Sequence, residues 1–130
     1  MKPARWVAHL ALGGCIAVLA GCVNAPPALY MWEAFPRQQY DTLQRAGYSP
    51  LEQIRLLEAH AEKARGANAN LPPGFRAHLG MLMLEQGNPQ RARELWQAEK
   101  VAFPESATYI DSLLKRLDAS AKSAKAENPA

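Results

Sequence analysis

Six side chains of this 130-residue chain are the places to look for chemistry: Cys15, Cys22, His9, His60, His78 and Glu99. A thiolate can attack or bind metal, an imidazole can move a proton or bind zinc, and a carboxylate on an apolar helix face can serve as acid or base. Their spacing assembles none of these. No His/Cys/Asp/Glu group has metal-ligand spacing, and the sequence contains no serine elbow, phosphate loop, paired catalytic carboxylates or nucleotide fingerprint. The residues therefore predict a protein that is not an enzyme and that uses no metal or cofactor.

His60 lies beside Glu58, Glu62 and Lys63, a setting in which a solvated surface histidine is expected. His78 lies in the most apolar segment, between a proline-glycine start and a glycine turn. It is expected to be a core or half-buried histidine whose ring nitrogen is satisfied by a nearby carbonyl or carboxylate. Glu99 shares a helical stripe with Ala92, Trp96 and Phe103. A carboxylate on such a stripe is costly without partners, so Glu99 should accept hydrogen bonds or pair with Arg76, His78 or the amino-terminal segment. Both residues are expected to serve structure or partner binding, not catalysis.

Cys22 has a different context. Lys2 and Arg5 precede an apolar run from Trp6 to Ala20, the charged-apolar-small layout of a secretory signal, and the run is too short for a spanning helix. Leu19-Ala20-Gly21-Cys22 at its end resembles the lipobox of bacterial lipoproteins. That resemblance implies diacylglyceryl attachment to Cys22 and cleavage just before it. Cys15 follows Leu12-Gly13-Gly14, but too short an apolar run precedes it for an acceptor. Cleavage before Cys22 discards Cys15, and the lipid consumes the remaining thiol, so no disulfide is available. Val23 stands where aspartate would retain the protein at the inner membrane, which by the same resemblance implies the inner leaflet of the outer membrane, facing the periplasm.

Loss of residues 1–21 takes the chain from 130 residues to 109, one small domain. It also removes Lys2 and Arg5, so Lys+Arg falls from 15 to 13 against 12 acids and the formal charge from +3 to +1. That balance, with the signs interspersed, argues against nucleic acid. Residues 22–36 read as a lipidated tether followed by an aromatic segment, Tyr30, Trp32 and Phe35, expected to fold back on the domain; the alternative is an exposed recognition patch close to the membrane. Residues 37–118 read as the folded part. The Ala/Ser/Lys/Glu tail, 119–130, has no large apolar residue and is expected to be disordered.

Helix punctuation is legible throughout and no period-two alternation of any length occurs, so the fold class is all-α with four or five helices. The first helix is placed at Arg37–Ala46, with Tyr40 and Leu43 on one side and Gly47 as its left-handed end. Ser49 caps the second, with Pro50 at its first position and Glu52 completing a capping box; Leu51, Ile54, Leu57, Ala61 and Ala64 form its inward stripe. Pro72-Pro73-Gly74 starts a central helix, Phe75–Gln86, ended by Gly87. Asn88-Pro89 starts a fourth helix, which Pro104 interrupts. A fifth follows from Ser106 with Tyr109, Ile110, Leu113, Leu114 and Leu117 on one face.

The stretch from Pro73 to Ser106 resembles one tetratricopeptide repeat of about 34 residues. Leu79-Gly80, Gly87-Asn88, Ala92, Trp96 and Pro104 fall at that repeat's spacings: Gly80 and Ala92 allow close helix approach, Trp96 fills the hairpin and Pro104 ends it. Glu99 departs from the pattern, standing where a small residue is usual. A degenerate unit covers Tyr40 to Ala64, and the helix from Ser106 serves as a terminal cap.

Most of the chain after Cys22 also resembles the domain-of-unknown-function 4810 family of small bacterial lipoproteins, through three blocks. These are Tyr30-Met31-Trp32, the run Pro72 to Gly80, and Glu99-Lys100-Val101-Ala102-Phe103-Pro104-Glu105-Ser106. Glu33 and Phe35 depart from it, standing where the family tends to have glycine and tyrosine. The resemblance implies a tetratricopeptide-like periplasmic lipoprotein, often encoded beside a lipoprotein resembling the curli secretion channel, and implies no reaction. The function expected is a non-enzymatic adaptor or assembly factor that binds envelope proteins, a curli-channel-like lipoprotein among them. The alternative is a regulator of a cell-wall synthase or hydrolase.

Overall fold

A computed structural model describes residues 27–44, 47 and 49–127, the last by its backbone alone. The lipobox with Cys22, Cys15, Val23 and the last three residues of the tail lie outside the described residues. Within them the chain is all-helical: α1 Phe35–Leu43, α2 Pro50–Gly66, α3 Phe75–Glu85, α4 Pro89–Ala102 and α5 Ala107–Glu127, with a 3-10 turn at Pro104–Ser106 before α5.

Each helix packs on its neighbours in sequence, and α3 with α4 forms the most extensive pair. Local signals account for the breaks. The Arg91 N–H donates to Asn88 Oδ1 at 3.1 Å, and Gly87 turns the hairpin at a φ of +75°. The Glu52 N–H donates to Ser49 Oγ at 3.3 Å, but the Glu52 carboxylate does not complete the capping box. It takes two bonds from Arg55, at 2.6 and 2.9 Å, one turn further on.

The core is built around α3, where Phe75, Ala77, Leu79, Leu82 and Met83 are buried, as are Gly80 and His78. Phe35, Leu57, Trp96 and Ile110 join them from the other helices. At the α3–α4 crossing the indole of Trp96 packs against Gly80 and donates Nε1–H to the Ala77 carbonyl at 3.1 Å. A methyl group on Gly80 would sit 2.5 Å from Nε1 and 2.7 Å from Cδ1 of that ring, and Ala92 beside it is fully buried.

Four expectations are corrected. The first helix begins at Phe35 and not Arg37, because Phe35 is buried against Phe75, with ring centroids 5.0 Å apart. This removes the boundary drawn at residue 36 and makes the aromatic segment part of the domain. Tyr40 and Leu43 are 56% and 76% exposed and Leu51 is 67% exposed: each helix meets the core along one edge, which Phe35, Ile54 and Leu57 occupy. Gly47 has the left-handed φ of +82° expected of it, but α1 has already ended at Leu43. The tail is not disordered from 119, since α5 continues to Glu127. Alanine and lysine favour helix intrinsically, so this exposed extension needs no core contact.

The packing at Gly80 reverses the usual sign of a helix substitution. Alanine for glycine normally stabilises a helix interior by about 1 kcal/mol, whereas overpacking a filled core costs about 1–3 kcal/mol. Gly80→Ala should therefore lower the denaturant midpoint, Gly80→Leu and Ala92→Leu should lower it further, and a midpoint raised by Gly80→Ala would contradict the Trp96 contact.

Candidate functional site

The buried polar residues mark where this fold has spent its chemistry. Helix α3 begins at Gly74, which has a φ of +84° and no side chain to cap the first turn. Glu99, from the last turn of α4, supplies what is missing. Its Oε1 accepts the Gly74 N–H at 2.5 Å and its Oε2 the Arg76 N–H at 3.2 Å, at 1% exposure. Two donors that helix geometry leaves unpaired are thereby satisfied, and a negative group sits at the positive end of the helix dipole. Arg76 is a partner, as expected, but through its backbone; the bonds of Glu99 do not run to His78 or to the amino-terminal segment.

His78, on another face of α3, is 7% exposed and stacks edge-on to Phe35, with centroids 6.0 Å apart. Its Nε2 lies 3.4 Å from the Thr42 hydroxyl of α1, not beside a carbonyl or carboxylate. Thr42 also donates to the Gln38 carbonyl at 2.9 Å and meets the buried amide of Gln53 from α2. Burial holds the His78 imidazole below its ordinary pKa of 6.5, so the ring is neutral at neutral pH. Thr42 and Gln53 were not foreseen. For Gln53 a signal exists, because it lies four residues before Leu57 on the inward stripe of α2.

His60 is the clear correction. It is 6% exposed, not solvated: its ring stands edge-on to Phe75 at 4.9 Å and its Nε2–H donates to the Met31 carbonyl at 2.9 Å. The charged neighbours read earlier point elsewhere, whereas His60 follows Leu57 by three residues and precedes Ala64 by four, on the inward face. Met31 in turn donates its N–H to the Asn70 carbonyl at 2.8 Å, so residues 30–35 lie strapped across α2 and the start of α3. Tyr30 rests on Phe103 at 5.8 Å and Trp32 stacks on Phe35 at 6.5 Å. Glu33 turns the strap at a positive φ of 39°, a conformation easier for glycine. Lys63 bonds the Glu33 carboxyl and holds it below the usual carboxylate range.

Of the remaining candidates, Lys100 reaches Asp111 of α5 at 2.6 Å, Pro104 opens the 3-10 turn and Glu105 is exposed. Among the described residues no His/Cys/Asp/Glu group could hold a metal ion. The tertiary structure instead forms a cleft of about 440 Å³ between α1, α3 and α5, with Thr42, Leu43, His78, Met81, Glu85 and Tyr109 on its walls. Leu43, Met81 and Tyr109 are large apolar side chains left 76%, 42% and 52% exposed. A larger groove, about 690 Å³, runs between α2 and α4. On its walls Glu62 pairs with Arg65 and Glu94 with Arg91, and Glu58 and Arg76 line it as well.

Substitutions at two positions separate these roles. Leaving a buried donor unpaired costs about 1–3 kcal/mol, so Glu99→Ala should destabilise by at least that much and Glu99→Gln, which keeps one acceptor oxygen, by less; equal melting of all three proteins would refute the cap. His78, with its folded pKa below the unfolded value, contributes stability that is complete above pH 6.5 and falls as the pH drops below it, where the unfolded chain binds the extra proton. Comparing melts at pH 7.5 and 5, the parent should lose more than His78→Gln does.

Neither the curated proteins nor the solved structures contain a match to this chain. A family profile does match, described as domain of unknown function (DUF4810), over residues 29–113. The span begins with the strap and ends in α5, and so includes Glu99, the Trp96–Gly80 contact and the whole cleft. With most of the folded chain covered in one continuous match, the protein belongs to the DUF4810 family.

Proposed function

We propose that the protein is a non-enzymatic binding module, acylated at Cys22 and held on the periplasmic face of the outer membrane, where it helps another envelope protein to assemble or be secreted. The observation that carries this reading is the cleft between α1, α3 and α5. These are the first helices of the successive hairpins and the cap, and stacked helical hairpins use that side as an extended binding surface. Leu43, Met81 and Tyr109 offer apolar contact there, while Thr42, neutral His78 and Glu85 offer hydrogen bonding. Apolar walls with a few polar groups suit capture of a peptide segment. Two other buried polar side chains are already committed to the fold, Glu99 to α3 and His60 to the strap.

A curli-channel-like lipoprotein is the first partner proposed, by resemblance to the family's usual gene neighbourhood. The test is a photo-crosslinking residue at Met81 or Tyr109 in cells, followed by pull-down from solubilised membranes. A channel-like lipoprotein captured from both positions supports the adaptor, whereas a wall synthase or hydrolase identifies a regulator instead. Palmitate labelling examines the anchor: Cys22→Ala should abolish the label and release the protein from membranes, and undiminished label would show that another residue is the acceptor.

A further inference from the structure

We propose that Leu29 and Trp32 form a second contact with the bilayer, laying the strap end of the domain on the phospholipid headgroup layer beside the acyl chains. The inference rests on the acylated Cys22 of the proposed function. Leu29 is 80% exposed and Trp32 44% exposed, although Tyr30 and Phe35 of the same segment turn onto the domain. Trp32 is not loose. Its carbonyl accepts the Phe35 N–H at 3.0 Å, and its ring is held between Phe35 at 6.5 Å and Tyr30 at 6.4 Å. The fold therefore holds a half-exposed indole in a fixed position.

Chain length selects the occupant of that surface. Leu29 follows Cys22 by seven residues, and an extended chain spans at most about 3.6 Å per residue, so Leu29 lies within about 25 Å of the acylated sulfur. Trp32 is only three residues beyond. Tryptophan favours the membrane-water boundary, where its ring meets the acyl region and its N–H the headgroups, and a neighbouring leucine enters the apolar side. Charge does not oppose the approach: the adjacent acid, Glu33, is paired with Lys63, and the next acid along the chain, Asp41, is paired with Arg37. Two such contacts would fix the orientation of the domain, which an acyl anchor on an extended tether leaves free.

The experiment uses the mature acylated protein in phosphatidylethanolamine/phosphatidylglycerol vesicles whose acyl chains are brominated near the headgroup. The mature chain carries Trp32 and Trp96, and Trp96 is 1% exposed, so quenching by bromine reads Trp32. Expected are a loss of emission relative to unbrominated vesicles, a shift of the emission to shorter wavelength on vesicle binding, and no loss in Trp32→Phe. Protein that floats with the vesicles yet keeps its full emission overturns the second contact and leaves the anchor standing. Protein that does not float overturns the anchor, and this inference with it.

Discussion

The two bonds from Glu99 to the backbone of Gly74 and Arg76 are the constraint around which the rest of the domain is arranged. A helix start without a capping side chain is weak on its own, and α3 is the helix that the others pack against. Because the cap comes from the far end of α4, the beginning of α3 is sound only when the hairpin has closed. The cost of burying a carboxylate is thus tied to tertiary packing, so partial structures with α4 displaced leave both the carboxylate and the helix end unsatisfied. Trp96, one turn earlier on α4, fixes the other side of the same hairpin through Gly80 and the Ala77 carbonyl.

The strap extends this arrangement to the amino end. Phe35 and Phe75 meet over the start of α3, His60 holds the Met31 carbonyl from α2, and Tyr30 reaches Phe103 just beyond α4. A domain this small has little area to bury, and an aromatic segment laid across its helices adds apolar contact without lengthening any of them. The ends of α2, α3 and α4 are joined at one pole, the pole from which the chain leads back towards Cys22. The cleft between α1, α3 and α5 meets that pole at Gly74 and at His78, which touches Phe35 and also lines the cleft. Binding in the cleft and packing of the strap therefore share one buried residue.

The sequence determined what depends on neighbours in the chain. The start at Gly74, the stop at Gly87, the caps at Ser49 and Asn88 and the helical periods of α2 to α5 are local, and they specified four or five helices and the class of the fold. Gly80, Ala92 and Trp96 at one repeat's spacing gave the central hairpin, because close helix approach demands small residues at fixed intervals. What tertiary structure alone decided is which face of each helix is covered and where each buried polar group finds its partner. Periodicity places His60, Leu57 and Ala64 on one side of α2 but says nothing of the strap that covers them. Leu43, Leu51 and Tyr40 are apolar and at helical spacing, yet each is more than half exposed because the described elements do not cover them. For Glu99 the sequence required hydrogen bonds without naming the donors: those donors are backbone N–H groups, identical at every residue, and only the closed hairpin selects the two at the start of α3.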